Sequence, residues 1–448
     1  MMFLRPIPLT LAGALLATST SLASAEISER SVAAHEAFLA SDALQGRGSA
    51  TRDEAIAAAY VASEFQSYGL APAPGMNGYL QTATIVQQRL NGPVALTVGP
   101  TSVPGATMLF GSGKPVSGRL AIAANPGDLP SAPVVLLMDG GTNPLALRGE
   151  MRDKHIQLLL LPDSEATRGV STRFGGPRLP SYLQGSAPAD WPTIVAIPQQ
   201  QIEQLSRMPG AAVSLNVTTA QVPATTTNAI GYVQGSDPAA GTLLFSAHLD
   251  HLGVRPDGVI MHGANDDASG TTAVLELAEA LASGKQPRRS ILFVCYGSEE
   301  AGEYGSTYFA EHPPVPLSQI VANVEFEMIG AQDPKLPKNT LMMTGFDRSN
   351  LGPALKQHGA LVTGDPYPEQ HFFQRSDNYS LALKGVVAHT VSGWAVTPTY
   401  HQPTDTYANL NIPFMTSAIR SLVVPIEWLA NSDFVPAWNA GGKPSPER

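Results

Sequence analysis

Between residues 28 and 68 the apolar positions recur at helical spacing: Val32 and Leu39 stand one heptad apart, and Ala58, Val61, Phe65 and Tyr68 follow along one face. Two helices fit, parted by the breaker Leu44-Gln45-Gly46-Arg47-Gly48 and closed by Gly69. From about residue 90 to 222 the texture changes to short apolar runs such as 134–138 and 156–161, spaced by proline- and glycine-rich turns, with a Gly/Pro-heavy loop over 169–192. Thr225-Thr226-Thr227 marks the end of that region. Beyond Asn228 strands and helices alternate. The pattern predicts a buried strand over 243–247 and a helix over 268–282 with Val274, Leu277, Ala278 and Leu281 on one face, ended by Ser283-Gly284. A strand over 291–296, a helix from about Ser306, a strand near Val324, a helix over 350–358, a strand over 386–391 and a closing helix over 413–429 complete it.

Such alternation predicts an α/β protein, a three-layer sandwich with a mixed, largely parallel central sheet and an inserted small β-rich domain. Ligands of such sheets bind at the carboxyl ends of the strands. The expected boundaries are 26–90 for an N-terminal helical part of the main domain, 91–222 for the insertion, 223–435 for the rest of the main domain and 436–448 for a polar, flexible tail.

At 448 residues the chain exceeds the usual single-domain size, in keeping with an insertion. Its net charge of -10 comes without a long acidic run, and Arg288-Arg289 is its one adjacent basic pair, which argues against a nucleic-acid partner. Residues 1–25 carry Arg5, an apolar stretch over 9–17 and Ala23-Ser24-Ala25, the pattern of a cleaved signal peptide, so a periplasmic or secreted location is expected. That apolar stretch is shorter than the roughly 20 residues that span a bilayer, and no membrane span is expected. The single cysteine, Cys295, permits no intramolecular disulfide and lies within the apolar run 291–296, as a buried, inert thiol would.

The chemistry concentrates at the ends of the predicted strands. His248 ends one, Asp266 precedes a helix, Glu299 and Glu300 follow a second strand, Glu327 ends a third, and His401 lies in the loop after a fourth. Imidazole and carboxylate together suit a borderline-soft tetrahedral cation such as zinc, and carboxylates beyond one ion's needs point to a second ion and a base. The chain reads as a metallohydrolase. Asp267 suits an N-cap of the following helix, and the helix-start pattern of Ser376-Asp377-Asn378-Tyr379 is an alternative to a place in the substrate pocket. His251 and His262 flank the cluster, either as supports of the ligands or as solvated histidines. No His-Glu-x-x-His and no Gly-x-Ser-x-Gly occurs, which disfavours helix-borne zinc proteases and serine hydrolases.

His248-Leu249-Asp250, the run 263–270, Glu299-Glu300-Ala301-Gly302 with Gly305-Ser306, Met328-Ile329-Gly330 and the run 401–406 match, in order, motifs of a known family. The chain resembles the co-catalytic di-zinc aminopeptidases, the superfamily of bacterial leucyl aminopeptidase and of the glutamate carboxypeptidase and transferrin receptor ectodomains. Phe38-Leu39-Ala40-Ser41-Asp42 with Gly46-Arg47 resembles the amino terminus of bacterial members, and the insertion resembles the protease-associated domain. The resemblance implies two zinc ions bridged by Asp266, one completed by Glu300 and His401, the other by His248 and Glu327, where the family usually carries aspartate. It further implies Glu299 as catalytic base, Asp250 as the residue orienting His248, and peptides with a free N-terminus as substrates. The rival readings are a carboxypeptidase or a single-zinc glutaminyl cyclase of the same fold, and a non-catalytic ectodomain that binds a partner through the insertion.

Overall fold

In the computed structural model, residues 26–445 are described; the expected signal peptide and residues 446–448 lie outside them. The centre of the fold is a nine-stranded sheet in the order 362–364, 341–343, 388–392, 320–327, 242–248, 290–296, 219–233, 80–90, 182–183. Its middle is parallel: Thr242–His248 runs beside Ser290–Tyr296 on one side and Ile320–Glu327 on the other, and Ile320–Glu327 beside Ala388–Ser392. The flanking strand Thr219–Val233 pairs antiparallel with both Ser290–Tyr296 and Leu80–Leu90, so the sheet is mixed, with a parallel core.

The central strands read as continuous apolar runs because both faces are covered. Successive side chains alternate between two cores. Leu243, Phe245, Ile291, Phe293 and Cys295 enter one, while Leu244, Leu292, Val294 and Tyr296 enter the other. Helices Glu29–Leu39, Arg52–Ser67, Ser269–Ala282 and Ile412–Asn431 cover the first face; Tyr304–Glu311 and Asn378–Lys384 cover the second. Sequence sets their starts: the Ser28 hydroxyl accepts from Ser31 N at 3.1 Å, and Thr51 Oγ1 accepts from Asp53 N at 3.2 Å. Ile412–Asn431 is apolar and long enough to cross a membrane, but half of that stretch is buried inside the protein, where Phe414, Ile419, Leu422, Ile426 and Leu429 pack as a core helix does.

The structure refines three expectations. Residues 80–90, placed in a helical segment, form a long strand paired along its whole length with Thr219–Val233; its Gln- and Thr-rich sequence hides the signal because much of it faces water. The inserted unit is not simply β-rich. Its second sheet has eight strands, of which Val116–Ala123, Val134–Leu137, Leu158–Pro162 and Thr193–Ile197 run parallel, connected through helices such as Arg148–Asp153 and Glu165–Phe174. The segment expected as a flexible tail is held in place as far as Gly442: the Trp438 ring stands 6.2 Å from Phe373 and 5.3 Å from His389, and Asn439 N donates to Arg348 O at 2.8 Å. One aromatic residue in a polar tail suffices to dock it.

Phe245 packs between Phe293 and Phe326 at centroid distances of 5.8 and 6.5 Å with no exposed surface. Phe245→Ala should cost about 3–5 kcal/mol, because the packing of the ring disappears and a cavity takes its place. Denaturant unfolding followed by circular dichroism measures it.

Candidate metal centre

The parallel strands deliver their side chains to one edge. His248 is the last residue of its strand, Glu299 and Glu300 follow the strand ending at Tyr296, Glu327 ends the next, and His401 lies in the loop after Ser392. Asp266 arrives from a short turn, Ala264–Ala268, between His248 and the helix Ser269–Ala282, and the Asp266-Asp267 peptide is cis. The loop bearing the two glutamates is fixed by close backbone approach: Gly305 N donates to Gly297 O at 3.0 Å, and a Cβ on Gly305 would lie 2.2 Å from that oxygen.

Two donor clusters result, sharing Asp266: His251, Asp266, Glu300 and His401 form one, and His248, Asp266 and Glu327 the other, with all donor atoms of a cluster within 4.8 Å of one another. Asp266 divides its oxygens. Oδ1 stands 3.3 Å from His248 Nε2, and Oδ2 3.1 Å from His401 Nε2. His401 Nε2 is also 3.1 Å from Glu300 Oε1. Tetrahedral zinc with bonds of about 2.0–2.1 Å places its donors roughly 3.3 Å apart, so the clusters fit such ions. Among the described residues, the buried His248 Nε2, both ring nitrogens of His251 and Glu300 Oε1 make no hydrogen bond of acceptable geometry. Buried polar atoms are normally satisfied, and orphans converging on one carboxylate are what ligand atoms look like.

A second layer holds these donors. Asp405 accepts from Asn265 N at 2.9 Å and Asp266 N at 3.1 Å. Asp250 accepts from Glu299 N at 2.9 Å, Glu300 N at 3.3 Å and the Ser49 hydroxyl at 2.5 Å. Its carboxylate is 3.7 Å from His248 Nδ1, whose nearer neighbour is the Asp250 carbonyl at 3.3 Å. Asp250 therefore grips the glutamate loop at least as firmly as the histidine. Asp267 is no ligand in this arrangement: it accepts from Gly270 N at 2.9 Å, near the start of the following helix, and from Met328 N at 3.0 Å and His248 N at 3.3 Å. The fully buried Arg47 guanidinium donates to the carbonyls of Leu39, Leu249, His262 and Gly263, between 2.6 and 2.8 Å, fastening both ligand-bearing loops to the amino-terminal segment.

The field here is strongly negative. Burial alone would lower the His401 imidazole, but the close carboxylates of Asp266 and Glu300 hold it up at about 10. Burial and Asp266 push the Glu300 carboxyl up, and the close imidazoles of His251 and His401 bring it down to about 2. The Glu299 carboxyl lies well above the usual carboxylate range, first through burial and then through the charges of Glu300, Asp377 and Glu327, against His248. The site prefers positive charge.

The structure thus brings together His248, Asp266, Glu300, Glu327 and His401, with Glu299 and Asp250 beside them. Glu325, the other acid on Glu327's strand face, is occupied elsewhere, accepting from Asn378 N and the Thr390 hydroxyl. Ser376 and Asp377 are buried ahead of the helix Asn378–Lys384, where Asp377 stands at the N-cap position without accepting a cap hydrogen bond, so the expected capping is not seen. His262 is 2.7 Å from the exposed Asp42 and does not join either cluster. Sequence reasoning underrated His251 and passed over Asp405 and the role of Arg47. Their signal is three-dimensional.

Residues 228–423, which include every candidate ligand, match Peptidase family M28. Leupeptin-inactivating enzyme 1 of Streptomyces exfoliatus is 36% identical over 113 residues, covering 25% of this chain and 24% of that protein. Aminopeptidase YwaD of Bacillus subtilis (strain 168) is 30% identical over 139 residues, covering 31% of this chain and 28% of that protein. The aligned stretch thus spans between about a quarter and a third of each of these two relatives. The solved aminopeptidase from Aneurinibacillus sp. strain AM-1 has the same fold, with a TM-score of 0.58 at 17% identity over 91% of this chain and 95% of that one, so the likeness in fold reaches beyond the matched family region.

Asp405 touches no other donor than the backbone that presents Asp266. Asp405→Ala should weaken metal binding by about 10–100-fold, the usual effect of removing a support of a ligand. Metal content after dialysis against graded chelator measures it.

Proposed function

We propose, from the peptidase family M28 unit that residues 228–423 form, that this chain is a di-zinc aminopeptidase that removes N-terminal residues from peptides. The observation that supports it most is the pair of donor clusters sharing the two oxygens of Asp266. In this reading Glu300 and His401 hold one zinc, His248 and Glu327 the other, and the longer arm of Glu327 replaces the family's usual aspartate. Bound there, a zinc pair supplies an acidified water and a polarised scissile carbonyl. Glu299, raised in proton affinity by burial and by its acidic neighbours, takes the water's proton and hands it to the leaving amine. Asp250 keeps Glu299 and Glu300 apart in their roles by holding both backbone amides. The pattern of residues 1–25 supports action outside the cytoplasm.

The cavities beside the centre support exopeptidase action. On the Glu327 side lies a pocket of only about 30 Å³, lined among others by Met328, Met342, Phe372, Ser392 and Tyr400. On the side of Glu300 and His401 a cleft of about 1180 Å³ opens beneath the inserted unit, with Gln88, Arg168 and Arg178 on its far wall. The closed side has room for no more than a small group, and the open one for a chain. Glu327, the carboxylate that lines the small pocket, attracts an ammonium group and repels a carboxylate, which favours the amino end. A carboxypeptidase reading rests on Arg375, which lines the same pocket.

Two measurements test these assignments. Glu299→Gln should lower kcat by roughly 10²–10⁴, the usual contribution of a general base, with zinc content unchanged; loss of one equivalent of zinc would exchange the roles of Glu299 and Glu300. N-acetylation of an alanyl or leucyl amide should lower kcat/KM by a factor on the order of 10⁴, because a site built for a polar group rejects an analogue that cannot satisfy it. Equal cleavage of blocked and free substrates, or release of C-terminal residues alone, would overturn the aminopeptidase assignment.

A further inference from the structure

Building on the di-zinc reading, we infer that His251 is a further metal ligand, giving the ion at Glu300 and His401 four protein donors while its neighbour at His248 and Glu327 has three. His251 follows Asp250 by one residue and has no exposed surface. Its Nδ1 stands 2.9 Å from Glu300 Oε1 and 3.8 Å from Asp266 Oδ2. With the two 3.1 Å separations made by His401 Nε2, these four edges bracket the roughly 3.3 Å expected between donors of a tetrahedral zinc site. Among the described residues neither ring nitrogen of His251 nor Glu300 Oε1 makes a hydrogen bond of acceptable geometry, so their short approach leaves both atoms available to a common ion.

The chain makes room for this ring. Gly263 adopts φ 60°, and a Cβ there would lie 2.4 Å from the His251 ring. The backbone of His251 is pinned by its own N–H donating to Arg47 O at 3.0 Å, while the Arg47 guanidinium holds Leu249 O two residues before it. His401 meets His251 edge to face at 5.6 Å, so that two imidazoles and two carboxylates surround one point. A histidine serving only as a neighbour would place a ring nitrogen in a well-directed hydrogen bond; among the described residues this one makes none, and one of its nitrogens stands among the candidate donors.

An extra donor makes the two ions unequal. The ion with four protein donors should be the last to leave under chelation, and its geometry closed enough to leave the weaker ion the more exchangeable. The test is titration of the whole protein with cobalt(II) and zinc, comparing wild type with His251→Ala and with His251→Asn, which fills the space more nearly should the alanine variant fail to fold. Wild type is expected to release its two ions in separate steps. Each variant should lose the tight step, with the dissociation constant of that ion raised by more than about 100-fold, beyond the 10–100-fold typical of a supporting residue. The visible cobalt spectrum of that ion should shift with the loss of a nitrogen donor. A tight step of unchanged affinity, or one weakened with an unchanged cobalt spectrum, would overturn the inference and leave His251 as a positioning residue for Glu300. Absence of any metal uptake by wild type would instead remove the di-zinc reading itself.

Discussion

The accumulation of carboxylates at the ends of the parallel strands is the constraint on which the rest of this structure depends. Asp250, Asp266, Asp267, Glu300 and Glu327 are brought to the edge of one buried sheet, where like charges repel and burial favours the neutral forms. The fold meets that cost with backbone amides. Asp250 takes the N–H groups of Glu299 and Glu300, Asp267 those of His248, Met328 and Gly270, and Asp405 those of Asn265 and Asp266. Carboxylates that accept two or three such bonds serve as structural anchors, whereas Glu300, Glu327 and Asp266 point their oxygens at histidines. The division between scaffold acids and candidate ligand acids is therefore written in which carboxylates the backbone occupies.

The same division explains the reach of the amino-terminal segment. Arg47 is remote in sequence from the donors, yet four carbonyls from three segments converge on its guanidinium. A buried cation is tolerated only where acceptors and counter-charges surround it, and here the carbonyls are joined by the nearby charges of Glu36, Asp250 and Asp405. Glu54 acts similarly from the next helix: it accepts from the Ser298 hydroxyl at 2.8 Å, Thr227 N at 2.9 Å and Ala50 N at 2.6 Å, joining the glutamate loop to the long antiparallel strand. Helices far from the donors thus fix where the donors stand.

How much of this the sequence discloses follows from where each signal lies. His248, Asp266, Glu300, Glu327 and His401 are legible because α/β alternation sends strand ends to one edge, and each of them ends a strand or follows one. The parallel core, the helix Ser269–Ala282 and the closing helix are legible because a core buried on both faces leaves unbroken apolar runs. Residues 80–90 are not, since a half-wet strand of Gln and Thr has neither a continuous apolar run nor strict alternation. Leu341–Met343 and Val362–Gly364 are too short to carry a period. The helices of the insertion fall among prolines and glycines, and the docking of Trp438 depends on a surface that Phe373 and His389 supply from distant parts of the chain. His251 is ambiguous in sequence because a loop has no periodicity to say which way a side chain turns; burial and two unpartnered nitrogens speak where spacing is silent.

The inserted unit completes the asymmetry that the donors begin. Leu80–Leu90 and Thr219–Val233 lead out of the main sheet into it and back, and Tyr182–Leu183 returns from it to pair with Leu80–Leu90. The Tyr304 hydroxyl, at the start of the helix that follows the glutamate loop, donates to Ser181 O, so the loop bearing Glu299 and Glu300 is tied directly to the insertion. A wall attached in this way cannot be repositioned without straining the loop that presents Glu299 and Glu300. The large cleft beneath it therefore has a depth fixed by the same interactions that fix the chemistry, while the pocket beyond Glu327 is closed by Met328, Met342 and Tyr400 from the main domain alone. The walls of the two cavities beside the donors thus come from different parts of the chain.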